Sequence, residues 1–410
     1  MKNMLSKYFG PSTLVTAAFI GPGTVTVCTL AGVRSGYMLL WAILFSVIAT
    51  IVLQEMTARL GLVTQKGFGE AIRKELTHPI ARFLGIVLVL GAIVFGNAAY
   101  EGGNISGAVL GFEELFFNLG THINGIYISA SPLIIGAIAF CLLITGSFRL
   151  IERFLIGLVL VMSLVFLTTA FVTGPDLAEV VRGLLIPSVS SEQMLTVIAL
   201  IGTTVVPYNL FLHASIVQKK YKDVDQLSDL RKENATAIIL GGIISMSIVI
   251  TSATTLFGDR TINSAADMAI QLEPLLGSWS GYFLGLGLFA AGISSAITAP
   301  LAAAYAAKGI LGWEEGLGSK RFKVVWMGIL FIGVLFSMFG ISPVQVIQFA
   351  QVANGILLPL IAIFLLYLVN KKSLLGSYIN SVTQNVLGLI VILVAILISF
   401  RSLNSVFGFL

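Results

Sequence analysis

At 410 residues the chain is long enough for two or three soluble domains. Its composition excludes them: charged residues make up 10%, against about 25% in globular proteins, while 57% of the residues are hydrophobic and the mean hydropathy is +0.99. Too few charges remain to cover a water-facing surface, so an enzyme with a large soluble catalytic domain is ruled out. The net charge of +5 does not point to nucleic acid, because the basic residues fall in short loops between apolar runs. Cys28 and Cys141, the only cysteines, both lie inside apolar runs, which excludes a disulfide framework and a thiolate zinc cluster.

An apolar run of about 18 residues or more spans the hydrocarbon of a bilayer as a helix. Eleven such runs follow one another, at 11–33, 37–61, 80–110, 131–148, 151–173, 193–218, 234–257, 280–308, 324–342, 344–369 and 378–400. Backbone groups in lipid must be satisfied within the segment, and these runs are too long for barrel strands of about ten residues, so helices are expected. The expectation is an all-α integral membrane protein, one polytopic domain over 1–410. The basic start (Lys2, Lys7) precedes an apolar run without a small-residue cleavage site, so span 1 reads as a permanent helix and not as a signal peptide.

With the N-terminus placed in the cytoplasm, all but Arg34, Arg182, Arg260 and Arg401 of the 24 Lys and Arg residues sort to the cytoplasmic side. A helix count wrong by one would scramble that bias. The expectation is therefore a multi-pass protein of a bacterial-type inner membrane, with the N-terminus inside and the C-terminus outside. Of the inner connections, 66–79 places Phe68, Ile72 and Leu76 at helical spacing, which reads as a short amphipathic helix on the cytoplasmic surface; Lys219 to Glu233 is a charged loop.

Two spans carry features that a plain lipid-facing helix does not need. Span 1 contains Gly21-Pro22-Gly23-Thr24, and span 6 contains Gly202-Thr203-Thr204-Val205-Val206-Pro207-Tyr208-Asn209. Proline removes a backbone donor and glycine lowers the cost of leaving helical geometry. Breaks at positions one and six are those expected when five helices are followed by five more, and such paired interruptions point to a midplane binding site between inverted repeats. The competing reading, prolines that merely kink two helices for packing, does not account for Thr24 beside the first break and Thr203, Thr204 and Asn209 beside the second.

At these residues the chain resembles the NRAMP family of divalent-metal transporters. The resemblance runs from Gly10-Pro11-Ser12 through Ile20-Gly21-Pro22-Gly23-Thr24, Gly36-Tyr37-Met38-Leu39-Leu40-Trp41 and Leu53-Gln54 to Arg59-Leu60-Gly61. It resumes at Gly107-Ala108, at Val206-Pro207-Tyr208-Asn209-Leu210-Phe211-Leu212-His213 with Val217-Gln218, and at Ala350-Gln351-Val352 with Leu358-Pro359. It implies a leucine-transporter-type fold with alternating access around broken helices 1 and 6. The two inverted five-helix repeats would occupy about 11–173 and 193–369, with an extra helix at about 378–400.

The departures fall on the family's metal ligands. Its helix 1 motif Asp-Pro-Gly-Asn stands here as Gly21, Pro22, Gly23 and Thr24, and its helix 6 motif Met-Pro-His as Val206, Pro207 and Tyr208. A carboxylate, an amide and a thioether are thus absent, and no fixed negative charge offsets the desolvation of a divalent cation. The substrate-binding candidates are Ala18, Gly21, Thr24, Thr203, Val206, Tyr208, Asn209, Gln351 and Asn354; for a metal they reduce to the Thr24 hydroxyl and the backbone of Ala18 and Thr203. Hard ions accept such oxygens.

The resemblance also places at Glu101 an acidic residue linked to the family's proton route, followed by Asn104 where the family has a second acid, and at His213 the family's helix 6 histidine. Intramembrane ionisable groups default to a functional reading, here proton coupling or gating, against a structural hydrogen bond. Glu55 and Glu152 read as gate or loop salt bridges, and Cys28 as a packed small residue. No phosphate-binding loop, catalytic triad or metal motif occurs, so neither a cofactor nor ATP coupling is expected. Three functions stay open: a secondary carrier moving a metal cation through a degenerate site, with protons as possible partners; the same fold carrying an organic or zwitterionic solute; and a channel or intramembrane enzyme, against which the paired breaks argue.

Overall fold

The computed structural model describes residues 20–123, 126–145, 149–258, 261–313, 318–338 and 341–407. Among these, nine helices are long and apolar enough to cross a membrane. The shorter apolar helix Ser131–Thr145 and the helix opening at Pro22 bring the spans to the expected eleven. In chain order they are α1 (Pro22–Ser35), α2 (Leu40–Thr64), α3 (Pro79–Leu115), α4 (Ser131–Thr145) and α5 (Arg149–Val172). The second set is α6a (Met194–Thr204) with α6b (Pro207–Lys220), α7 (Leu227–Leu256), α8 (Ser280–Leu311), α9 (Lys320–Met338) and α10 (Pro343–Val369), followed by α11 (Val382–Phe407). The expected first half of span 1, with Ala18, lies outside the described residues.

Three pairs of helices of equal rank in the two sets pack against each other. α3 lies along α8, α2 along α7, and α1 against α6a. Between lipid-embedded helices the hydrophobic effect gives no net drive, so close approach depends on small side chains. The α3–α8 seam shows this: Gly292 sits against Ala108, and Gly111 against the backbone of Gly285 and Phe289. Ala290, Ala291, Ala296, Ala299, Ala302 and Ala303 of α8 are all buried. The lipid side is lined by exposed Phe83, Phe95, Phe171, Phe331 and Val382, as the composition requires.

The connections correct one sequence reading. The helix Phe68–Glu75 forms at the expected place, but its apolar face is not offered to the membrane surface. Phe68 and Ile72 are fully buried, and the Phe68 ring lies 4.6 Å from that of Phe211 on α6b. The connections after α3, α5 and α7 hold an antiparallel hairpin (β1, Gly120–Ile123; β2, Ile126–Ser129), a helix Leu177–Leu185 capped by Asp176, and short helical turns over 265–279. These pieces are too short and too polar to register as periodic apolar runs.

Candidate functional site

The break in span 6 follows from proline chemistry. In a continuous helix the carbonyl of Thr203 would accept from the backbone N–H of residue 207, and Pro207 has none. α6a ends at Thr204, Val205 and Val206 leave helical geometry (φ −101°, ψ 73° and φ −79°, ψ 119°), and α6b restarts at Pro207 in the first helical position. α1 begins in the same manner as α6b: Gly21 is extended (φ −90°, ψ 179°) and Pro22 opens the helix. Ala18 stands four residues before Pro22 as Thr203 does before Pro207.

The two proline-opened helix starts face each other. The hydroxyls of Thr24 and Thr203 are 3.0 Å apart, and both side chains are buried. Gln351 of α10 closes the group: a Cβ on Gly23 would overlap its side-chain amide, and one on Gly202 would overlap its backbone carbonyl. The Asn354 amide donates to Gln351 Oε1 over 3.4 Å. Thr24, Thr203, Gln351 and Asn354 thus form one buried polar cluster of hydroxyl and amide oxygens at the level of the breaks, with Gly21 at its edge.

The other candidates are placed differently. Val206 and Tyr208 turn away into an apolar cluster with Tyr100, Leu212, Ala299 and Ala302, where the Tyr208 ring lies 5.1 Å from that of Tyr100. Asn209 is fully buried, and neither its amide nitrogen nor its oxygen has a hydrogen-bond partner. Glu101, also fully buried, accepts from Asn104 Nδ2 at 3.3 Å through one oxygen while the other is unpartnered; its stem fills the space left by the missing side chain of Gly333 on α9. His213 is bonded through Nδ1 to Gln54 of α2. The two ionisable residues therefore belong to separate contacts, His213 on the α2–α6b seam and Glu101 on the α3–α9 seam.

Cys28 is buried in the main apolar core. Glu152 has no described side chain. Glu55 is the salt bridge that its position suggested: it pairs with Arg59 one turn on (3.1 Å) and with Arg231 at the start of α7 (2.7 Å). Arg59 also donates to the carbonyl of Tyr378 and, at 2.5 Å, to Asn380 Oδ1, so α2, α7 and the segment before α11 are tied at one point. That role for Arg59 is invisible in a linear charge count. Among the described residues no group of three or more His, Cys, Asp or Glu side chains is placed to hold a metal ion.

Proline-opened helices at Pro22 and Pro207 that meet at Thr24 and Thr203, with α3 packed along α8 and α2 along α7, define a polytopic membrane protein of the leucine-transporter type. The chain belongs to the Nramp family: the model for natural resistance-associated macrophage protein-like sequences matches residues 12–405. It is similar to the divalent metal cation transporter MntH of Bacillus subtilis, with 28% identity covering 92% of this chain and 87% of that one. To MntH of Caldanaerobacter subterraneus the identity is 27%, covering 94% and 90%. In fold it resembles the Eremococcus coleocola manganese transporter, solved with an aromatic bis-isothiourea compound (TM-score 0.77, 22% identity, 98% of this chain and 87% of that one). More distantly it resembles Mhp1, a nucleobase-cation-symport-1 family transporter (TM-score 0.53, 16% identity, 97% and 92%).

Proposed function

We propose that this protein is a secondary transporter that moves a divalent metal cation across a bacterial-type inner membrane by alternating access. The observation that carries this is the meeting of Thr24 and Thr203 across the two helix starts, in a chain whose relatives are divalent metal cation transporters. The cargo would be held by the Thr24 and Thr203 hydroxyls, the Gln351 and Asn354 amides, and the carbonyls that Pro22 and Pro207 leave open at Ala18 and Thr203; Gly21 keeps the approach clear. Val206, Tyr208 and Asn209, which the sequence offered as further ligands, would stand behind this group at the start of α6b and not contact the cargo directly.

With neutral oxygens only, the site cannot replace the hydration of a divalent ion, so the ion keeps part of its water shell, as Mg²⁺ tends to do. Binding is weak, and selectivity rests on size and oxygen preference and not on a thioether or carboxylate. Proton coupling is assigned to Glu101 and His213, buried ionisable groups within the spans. The reading takes 11–173 and 193–369 as the two repeats and 378–400 as the extra helix. The N-terminus and the basic loops then face the cytoplasm, with the bilayer lipid as the remaining partner and no enzymatic step.

The experiment is uptake of Mg²⁺ and Mn²⁺ into proteoliposomes, with calorimetry on the purified protein. Saturable uptake above that of empty vesicles, with binding far weaker than micromolar, supports the proposal. No uptake of either ion by folded protein, under any pH gradient, overturns it.

A further inference from the structure

Beside the threonine pair lies a second feature, on the α6b side of the break. A small cavity of about 10 Å³ is enclosed by α3, α6b and α10, with Asn97, Pro207, Tyr208 and Asn354 in its wall among apolar neighbours such as Phe211 and Leu357. That is room for about one water molecule. Asn97 is 1% exposed, and its side-chain oxygen has no hydrogen-bond partner. A buried amide oxygen left unpaired is costly, so its presence in an apolar wall calls for a donor or a cation that is there only part of the time. Asn354 joins this cavity to the polar cluster, since it lines the one and donates to Gln351 in the other. α6b and α10 both run from this level towards the loops bearing Lys219, Lys220, Lys371 and Lys372, so the cavity lies on the side towards which the cation would leave.

We infer that Asn97 is a specificity-determining residue of the transport path: its side-chain oxygen holds, through the single water the cavity admits, the hydrated divalent cation bound between Thr24, Thr203 and Gln351. This rests on the function proposed above and deepens it. A cation without a carboxylate ligand depends on the groups that orient its remaining water, and loss of such an outer contact commonly weakens metal binding 10- to 100-fold. Asn97 supplies that contact from α3, a helix outside the broken pair, and so couples the bound ion to the helix that packs along α8 and α9.

The test is the KM and maximal rate of Mg²⁺ and Mn²⁺ uptake for wild type, Asn97→Leu and the near-isosteric Asn97→Asp, each checked for folding by gel filtration and melting temperature. Asn97→Leu fills the cavity with an apolar group and is expected to raise KM roughly tenfold or more. Asn97→Asp keeps the shape and, at a pH where its buried carboxylate is ionised, adds charge; it is then expected to lower KM while slowing turnover, because release becomes harder. A role in packing alone would lower the melting temperature of both variants without this opposite movement of KM. If wild type carries metal and the folded Asn97→Leu has an unchanged KM, the inference is overturned while the proposed function stands. If folded wild type carries no metal, the proposed function fails and the inference falls with it.

Discussion

Thr24 and Thr203, 179 residues apart in sequence, place their hydroxyls 3.0 Å from each other at the two helix starts. Under the proposed function these hydroxyls would meet at the cargo without a charged side chain beside them. Gly21→Asp, Thr24→Asn and Val206→Met together are expected to raise Mn²⁺ affinity at least tenfold, read by calorimetry and by liposome uptake. Gly21→Asp alone should do less, since an isolated buried carboxylate bears its own desolvation cost and can simply take up a proton. Val206 now faces the Tyr100–Tyr208 cluster, so the gain from the methionine depends on its flexible side chain turning back to the site. A folded triple variant with wild-type Mn²⁺ binding would show that the cavity differs in shape and not only in ligands.

The close approach of α6a to α10 is set by Gly202, where an added Cβ would overlap the Gln351 carbonyl, a backbone atom that cannot swing aside. Gly202→Ala is expected to cost about 1–3 kcal/mol and to abolish transport. Gly157→Ala in α5 meets nothing within 4 Å and should be neutral or slightly stabilising, because alanine is the better helix former. Equal thermal shifts for the two substitutions would rule out this packing account.

Glu55 has two cationic partners of different kinds. Arg59 is buried and satisfies Glu55, Tyr378 and Asn380 together, whereas the Arg231 side chain is 46% exposed. Arg231→Ala should cost no more than about 1 kcal/mol. Arg59→Leu leaves a carbonyl and an amide unpaired behind a half-compensated carboxylate, and should cost about 3 kcal/mol or more. Melting temperatures in detergent, with and without 0.5 M salt, separate the two, since only the exposed pair is screened.

Beyond the end of α6b, Tyr221 donates its hydroxyl to Glu233, which also pairs with Lys220. Burial and the neighbouring carboxylate hold the Tyr221 hydroxyl above its usual range. A folded pKa above the unfolded value of about 10 means a stability contribution that is complete below about pH 10 and is lost as pH rises towards the folded value. The melting temperature of wild type should therefore fall from about pH 10 upward, and Tyr221→Phe should fall less steeply over that window. Parallel pH profiles would remove Tyr221 from the account.

Hydropathy and two prolines sufficed to place eleven spans, the break at Pro207 and the helix start at Pro22, because lipid imposes length and apolarity on every crossing segment and proline acts on its own backbone. The loss of a carboxylate and a thioether was equally legible at Gly21 and Val206. Which oxygens converge was not: the Thr24–Thr203–Gln351 cluster draws on α1, α6a and α10, and only close packing through Gly23 and Gly202 brings them together. The separate placement of Glu101 against Gly333 and of His213 against Gln54, the burial of Phe68 against Phe211, and the unpartnered oxygen of Asn97 are likewise tertiary facts. Each depends on which face of a helix, apolar nearly all round, meets a neighbour, and a helix without a polar face carries no periodic signal that says so.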